Sequence, residues 1–313
     1  MTNKNQIPEV DIVVDEQAGV IREVKETRLR SKKGHERRVN AGIYTILVLM
    51  SIIWLAPFVF LVLQSFRSYI TEGGGMVNYL LPKSFSLDNY IFLFQDGKFL
   101  RWYANTLIVA LFCAVIQTIM VLSVSYALSR MRFRGRKLIM KLMLVLGMFP
   151  GFLTMIALYF LLKQFGLTQE GAIPGMILIY CASSGMGYYI SKGFFDTIPK
   201  SLDESARIDG ATRFQVFKRI IMPLSKPIII YTILMAFMGP WGDYVFASYI
   251  AFGKSDSYNV AVGLYQWVNT NDYQGYFTRF CAGGVLVAIP ITALFLALQK
   301  YYVEGVTGGA VKG

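Results

Sequence analysis

Glu204-Ser205-Ala206-Arg207-Ile208-Asp209-Gly210, followed after nine residues by Ile220-Ile221-Met222-Pro223, concentrates charge in an otherwise apolar chain. The acids of this island have no histidine, cysteine pair or metal-ligand partner nearby, so the chemistry open to them is recognition: a carboxylate held out to a basic group on another protein. Ser201-Leu202-Asp203-Glu204 reads as a helix start, with Ser201 as cap and Glu204 completing a capping box three residues on. Acids in a first turn also suit the helix dipole. Gly210 is placed to end that helix in a left-handed conformation, with Asp209 before it to cap or brace the turn. A second helix is expected from Arg213, with Phe214, Phe217, Ile220 and Ile221 as its apolar face. Arg213, Lys218 and Arg219 are left for water, lipid headgroups or a partner. Pro223 and Pro227 punctuate the entry to the next apolar run.

Reaction chemistry fails on residue content. No G-x-x-x-x-G-K-[ST] occurs, and Gly253-Lys254-Ser255 lacks the first glycine. There is no H-E-x-x-H, and with His35 as the one histidine no triad can be assembled. Cys113, Cys181 and Cys281 show no paired or metal-ligand spacing and read as small buried apolar residues. A proton- or sodium-coupled carrier places several ionisable groups inside its spans. This chain offers Asp243 alone, in Pro240-Trp241-Gly242-Asp243-Tyr244. It either bends or ends its helix, or it lines a substrate pathway. The chain is therefore expected to be no enzyme and to hold no metal or cofactor of its own.

These residues must be positioned by apolar elements. Of 313 residues, 55% are hydrophobic and 16% charged, against about a quarter charged in soluble domains. A spanning helix needs about 20 apolar residues, and six windows qualify: Ala41–Phe66, Tyr103–Ser129, Leu142–Leu162, Gly171–Ser191, Pro227–Gly253 and Phe280–Gln299. In hydrocarbon the backbone must satisfy itself, so all six are expected as helices. Small residues Gly185, Gly187, Ala282, Gly283 and Gly284 permit close helix packing. Residues 1–40 are polar, and the first apolar run is too long for a cleaved signal, so it reads as an uncleaved span.

The net charge of +12 invites nucleic acid, but no recognition motif accompanies it. The bases fall in alternate connections instead: before the first window, in the run Arg130 to Lys141, and from Lys192 to Lys226. The positive-inside rule puts those connections and both termini in the cytoplasm, with contact to anionic lipid as a secondary use. The segment 254–279 lies on the other side, rich in aromatics and amides such as Tyr258, Tyr265, Gln266, Trp267 and Tyr273. These could hold a sugar or a partner, or simply belt the membrane interface.

The Glu-to-Pro spacing resembles the EAA loop of ATP-binding-cassette importer permeases: Glu-Ala-Ala, three residues, Gly, nine residues, then Ile-x-Leu-Pro. Glu204, Ala206, Gly210, Ile220 and Pro223 fall on it; Ser205 stands for the second alanine and Met222 for leucine. Trp241-Gly242-Asp243 looks like a looser form of the Trp-Asn-Glu in the fifth span of sugar permeases. Tyr258–Leu264 with Asp272-Tyr273, and the tail Gly305–Gly313 ending Val-Lys-Gly, are similar to the G-type subunits of maltose and maltodextrin transporters. The likeness runs over about 40–313.

What the resemblance implies is an all-α polytopic membrane protein of the type I importer fold, with six spans. Residues 1–40 would be a cytoplasmic tail, 41–304 the permease domain and 305–313 a C-terminal tail reaching the ATPase. Residues 194–226 would form the coupling loop, with Glu204, Ser205, Ala206, Asp209, Gly210, Ile220 and Pro223 contacting a partner ATPase that alone uses ATP and Mg. The implied partners are a second, F-type permease subunit, an ATPase dimer and an extracytoplasmic solute-binding protein that docks on 254–279. The implied substrate is an oligosaccharide, maltodextrin-like, imported across a bacterial cytoplasmic membrane. Another solute, such as a monosaccharide or polyol phosphate, is the alternative, and a stand-alone carrier or channel a more distant one.

Overall fold

The computed structural model describes residues 27–77, 79–148, 151–269 and 273–310. All named elements there are helical, and one isolated antiparallel bridge joins Arg67 and Phe85. The first 26 residues and the final Val-Lys-Gly lie outside the described part.

Helix α1 (Thr27–Ser65) carries the first apolar run, and its residues up to Val59 belong to a unit separate from the rest. The second unit runs from Phe60. It opens with α2 (Tyr69–Glu72) and α3 (Asp88–Gln95). Between them the chain wraps the buried Arg67, whose guanidinium donates to the carbonyls of Gly73 and Gly75. Asn89 donates to the carbonyls of Ser65 and Arg67 at 2.9 and 2.8 Å.

Helix α4 (Gly97–Arg130) is the central element. It packs against α7 (Ala172–Ala182), α8 (Gly185–Thr197), α12 (Lys226–Gly242) and α14 (Val260–Asn269). Val109 and Cys113 are buried on one face, whereas Leu111, Phe112, Val115 and Ile119 are exposed. A helix apolar on both faces suits lipid rather than water.

Among the described residues, four helices are long and apolar enough to cross a membrane: 37–65, 97–130, 169–197 and 276–301. The last lies in α15 (Tyr273–Ala310). A fifth is reached if α12 is counted with the segment before it, from which it is bent by 83°. The third expected window, 142–162, includes residues 149–150, which lie outside the described part. It is shared between α5 (Arg136–Gly147) and α6 (Gly151–Gln164), of 12 and 14 residues.

Asp243 follows the last residue of α12. Its Oδ1 accepts from the Phe246 N–H at 3.1 Å, capping α13 (Val245–Ala251), and its Oδ2 accepts from the Tyr180 hydroxyl. Asn259 does the complementary work. Its Oδ1 caps α14 through the Val262 N–H, while its Nδ2 donates to the carbonyls of Pro240 and Asp243 that α12 leaves open.

The segment 254–262 is strapped to the Gly97 end of α4. Trp102 donates to the Ser255 carbonyl at 2.8 Å, Asn105 to those of Asp256 and Tyr258, and the Thr106 hydroxyl accepts from the Val260 N–H. Trp102, Trp267, Phe99 and Phe92 then form one aromatic cluster. Trp267 is therefore packed into the bundle rather than held out, while Tyr265 remains 42% exposed. Gly263 of α14 lies so close to the Trp102 indole that a Cβ would overlap it, and Gly283 faces Leu264 and Phe99 in the same way.

Candidate functional site

The charged island forms two short helices between α8 and α12. Ile198, ahead of Pro199, is extended (ψ 126°), as the residue before a proline prefers. Helix α9 (Lys200–Ile208) therefore starts at Lys200 with Pro199 as its cap and no side chain capping it. The capping box expected from Ser201 and Glu204 does not form, because Ser201 already lies inside the first turn. The box sits one helix later. At the start of α10 (Arg213–Val216), the Thr212 hydroxyl accepts from the Gln215 N–H at 3.3 Å, and Gln215 Oε1 accepts from the Thr212 N–H at 2.7 Å.

Helix α9 ends at Gly210, in the left-handed region with φ 86°. The Gly210 N–H donates to Arg207 O at 3.1 Å and the Ala211 N–H to Ala206 O at 2.9 Å. These paired bonds are those of a Schellman closure, which favours glycine at this position. Asp209 closes the helix with its N–H on the Ser205 carbonyl at 3.1 Å, and its side chain is exposed. Gly210→Val should weaken this closure by about 1–2 kcal/mol, the cost of a left-handed L-residue. Faster amide exchange at Gly210 and Ala211, with Gly210→Asn closer to wild type, would show it.

After α10 the backbone widens into a π-helical turn, Phe217–Ile221, then α11 (Met222–Leu224). The 83° bend follows at Ser225, between Pro223 and Pro227. Val216 and Ile221 are fully buried against Leu122, Tyr126, Phe195 and Ile228, with Ala206, Ala211, Phe217 and Ile220 partly buried on the same cluster. The extra residue of the π turn lets Val216 and Ile221, five apart, share one face. Phe214 is not on that face. It sits two residues before Val216, about 200° around the helix, and is 68% exposed.

The last turn of α4 fastens this arrangement. The Arg130 side chain is only 4% exposed, and its Nη2 donates to the carbonyls of Phe195 and Ile198, both at 2.8 Å. Its Nε lies 3.4 Å from Asp203 Oδ2. Ser129 donates to Asp196, and the Tyr126 hydroxyl to the Arg213 carbonyl. Burial raises the Asp203 carboxyl above its ordinary range; Arg130 pulls it back and Glu204 adds to the rise. Arg130 and Asp203 are not legible as a pair in the sequence, where Arg130 only ends an apolar run. The T-x-x-Q of the true capping box is.

The outward side of the turn holds Glu204, Ser205, Asp209, Gly210 and Pro223, all exposed, whereas Ala206 and Ile220 are half-buried against the inward cluster. Ile208 (86% exposed) and Phe214 lie there too. Two carboxylates thus stand beside large uncovered apolar side chains. Among the described residues no three His, Cys, Asp or Glu side chains gather as metal ligands.

Residues 119–308 match the family described as binding-protein-dependent transport system inner membrane component. The galactooligosaccharides transport system permease protein GanQ of Bacillus subtilis (strain 168) is 37% identical over 86% of this chain and 94% of its own length. The maltodextrin transport system permease protein MdxG of the same strain is 35% identical, over 86% and 95%. The maltodextrin permease protein MalD of Streptococcus pneumoniae is 34% identical, over 89% and 98%. In fold, the chain resembles the crystal structure of a bacterial ABC transporter involved in the import of the acidic polysaccharide alginate. The TM-score is 0.71, with 22% identity over 86% of this chain and 98% of that one. With its apolar helices and its uncovered α9–α10 turn, the chain belongs to the family of inner-membrane components of binding-protein-dependent transport systems, and is a multi-pass permease subunit.

Proposed function

We propose that this permease imports an oligosaccharide, and that the α9–α10 turn couples it to a separate ATPase. The observation that carries the coupling is the division of the turn. Ala206, Val216 and Ile221 face the bundle, while Glu204, Ile208, Asp209 and Phe214 are uncovered. The inward side lets a push on the turn reach α4, α8 and α12, and the outward side gives a nucleotide-binding partner something to hold. Glu204 supplies the charge for a basic residue on that partner. Ser205 and Gly210 allow close approach, and Ile220 and Pro223 join the turn to α12. ATP and Mg belong to the ATPase.

The chain would work beside a second, F-type permease subunit and an extracytoplasmic solute-binding protein that docks on 254–279. It would have six spans, α5 and α6 together supplying the third, and both termini in the cytoplasm. The names of the maltodextrin relatives favour a maltodextrin-like substrate. The GanQ relative, at 37% identity, favours a galactooligosaccharide as the second reading.

The test is purification of the tagged chain from native membranes, with ATP hydrolysis followed as sugars and binding protein are added. The expected result is recovery of an ATPase and a second permease, with hydrolysis stimulated by one loaded binding protein. Glu204→Ala should cut uptake about tenfold, the effect of losing one charge-assisted contact. Recovery of the chain alone, or unchanged uptake in both Glu204→Ala and Gly210→Pro, would refute the coupling role.

A further inference from the structure

A cavity of about 380 Å³ lies between the Arg130 end of α4, the start of α5 and the face of α9 that carries Lys200, Asp203, Glu204 and Arg207. Six bases line it: Arg130, Arg132, Arg136, Lys200, Arg207 and Arg213. Only two acids, Asp203 and Glu204, line it with them, so four positive charges are left over. Asp203 is held by Arg130, and none of the other five bases has a carboxylate within 4 Å among the described residues. Like charges gathered on one concave wall repel, and field lines focus there. Such a cluster is stable when an anion sits among it.

Arg130 adds an independent sign. Its side chain is almost fully buried, two of its bonds are accounted for by the α8 carbonyls, and yet its Nη1 is buried with no acceptor. A buried donor left unmade is costly, and this one belongs to a residue on the cavity wall. From these observations we infer that the cavity binds a phosphate-bearing anion.

Three features favour phosphate over a carboxylate side chain. A guanidinium fork bonds two oxygens at once, and a phosphate has enough oxygens to serve several forks together. The cavity is far larger than one carboxylate needs. Its position also fits. The apolar run of α4 ends at Arg130, and α5 carries exposed Leu138, Leu142 and Leu146 immediately beyond the cavity. That is headgroup depth, where anionic phospholipids are drawn to arginine clusters. The inference goes beyond the transport reading and needs from it only that the Arg130 end of α4 lies at a membrane surface.

The experiment uses the delipidated complex in neutral detergent. Binding of dihexanoyl-phosphatidylglycerol, dihexanoyl-phosphatidylcholine and pyrophosphate is measured by thermal shift and by native mass spectrometry. Saturable binding of an anionic probe is expected, weakened about tenfold or more in Arg132→Gln/Arg136→Gln, as the loss of charge-assisted bonds predicts. Arg134→Gln, from the same basic run but off the cavity wall, should match wild type. Phosphatidylglycerol binding that pyrophosphate does not displace would make the headgroup the source. Displacement would show that a soluble phosphate compound also fits.

No saturable binding, equal binding of phosphatidylcholine, or no change in the double variant would overturn the inference. Binding that emerges only after the ATPase is stripped would also overturn it, assigning the cavity to an acidic segment of that partner. Recovery of the ATPase is scored on the same samples, so a failure of the coupling reading is seen separately from a failure here.

Discussion

Exchanging Arg130 for Met should release the α9–α10 turn from the bundle. The substitution keeps much of the side-chain volume but removes the charge beside Asp203 and two bonds to the α8 carbonyls. Breaking a buried ion pair by removing one partner costs about 3–5 kcal/mol, because the other charge stays buried. Asp203, already hard to ionise in its site, would be left without its cation. The expected outcome is a lower unfolding temperature for the purified complex, new protease sensitivity between Ile198 and Arg213, and loss of the ATPase on purification. Arg130→Met/Asp203→Leu separates charge from shape. It should recover a good part of the stability, because no uncompensated carboxylate remains. If Arg130→Met alone were as stable as wild type, the brace would be ornamental.

Gly263→Leu should produce the opposite failure. A side chain there collides with the Trp102 indole, and overpacking of a filled core costs about 1–3 kcal/mol. The strain is relieved most cheaply by lifting α14 from α4, which breaks the bonds of Trp102, Asn105 and Thr106 to the 254–262 segment. The α9–α10 turn is untouched, so the complex should still recover its ATPase while losing stimulation by the binding protein. Gly263→Ala should be milder. Adding Trp102→Leu to Gly263→Leu should restore part of the stimulation, because it vacates the space the new side chain needs. A complex with Gly263→Leu that responded normally to binding protein would show that this packing has no part in the response.

Much of this architecture is legible in the amino-acid sequence. Among the described residues, four of the six apolar windows lie in helices long and apolar enough to cross a membrane, because about twenty apolar residues have few other places to go. Gly210 ends α9 because left-handed backbone needs glycine, and the Glu204-to-Pro223 spacing marks the turn. The misreadings have local causes. Ser201 and Glu204 fit a capping box, but Pro199 moves the helix start two residues earlier, which puts Ser201 inside the first turn. Phe214 fits a 3.6-residue stripe, but Val216 takes the inward place and the π turn resets the period behind it. Asp243 is open to two readings on its sequence context, and its bonds to Tyr180 and Phe246 favour the structural one. Arg130 is legible only as a charge that sets orientation, because its partners come from α8 and α9, far away in the chain.

Helix α4 has one further consequence. Its 34 residues make a rod about 51 Å long at 1.5 Å per residue. The rod is gripped by Trp102, Asn105 and Thr106 near one tip and by Ser129 and Arg130 at the other. A stiff lever clamped at both tips cannot absorb a displacement at one of them; it turns. A few degrees of tilt, hardly visible at mid-length, becomes ångströms of travel at each end and in opposite directions. On the proposed reading, a partner that displaced the 254–262 segment would be felt at the α9–α10 turn as an angle, with no message having to pass from side chain to side chain along the way.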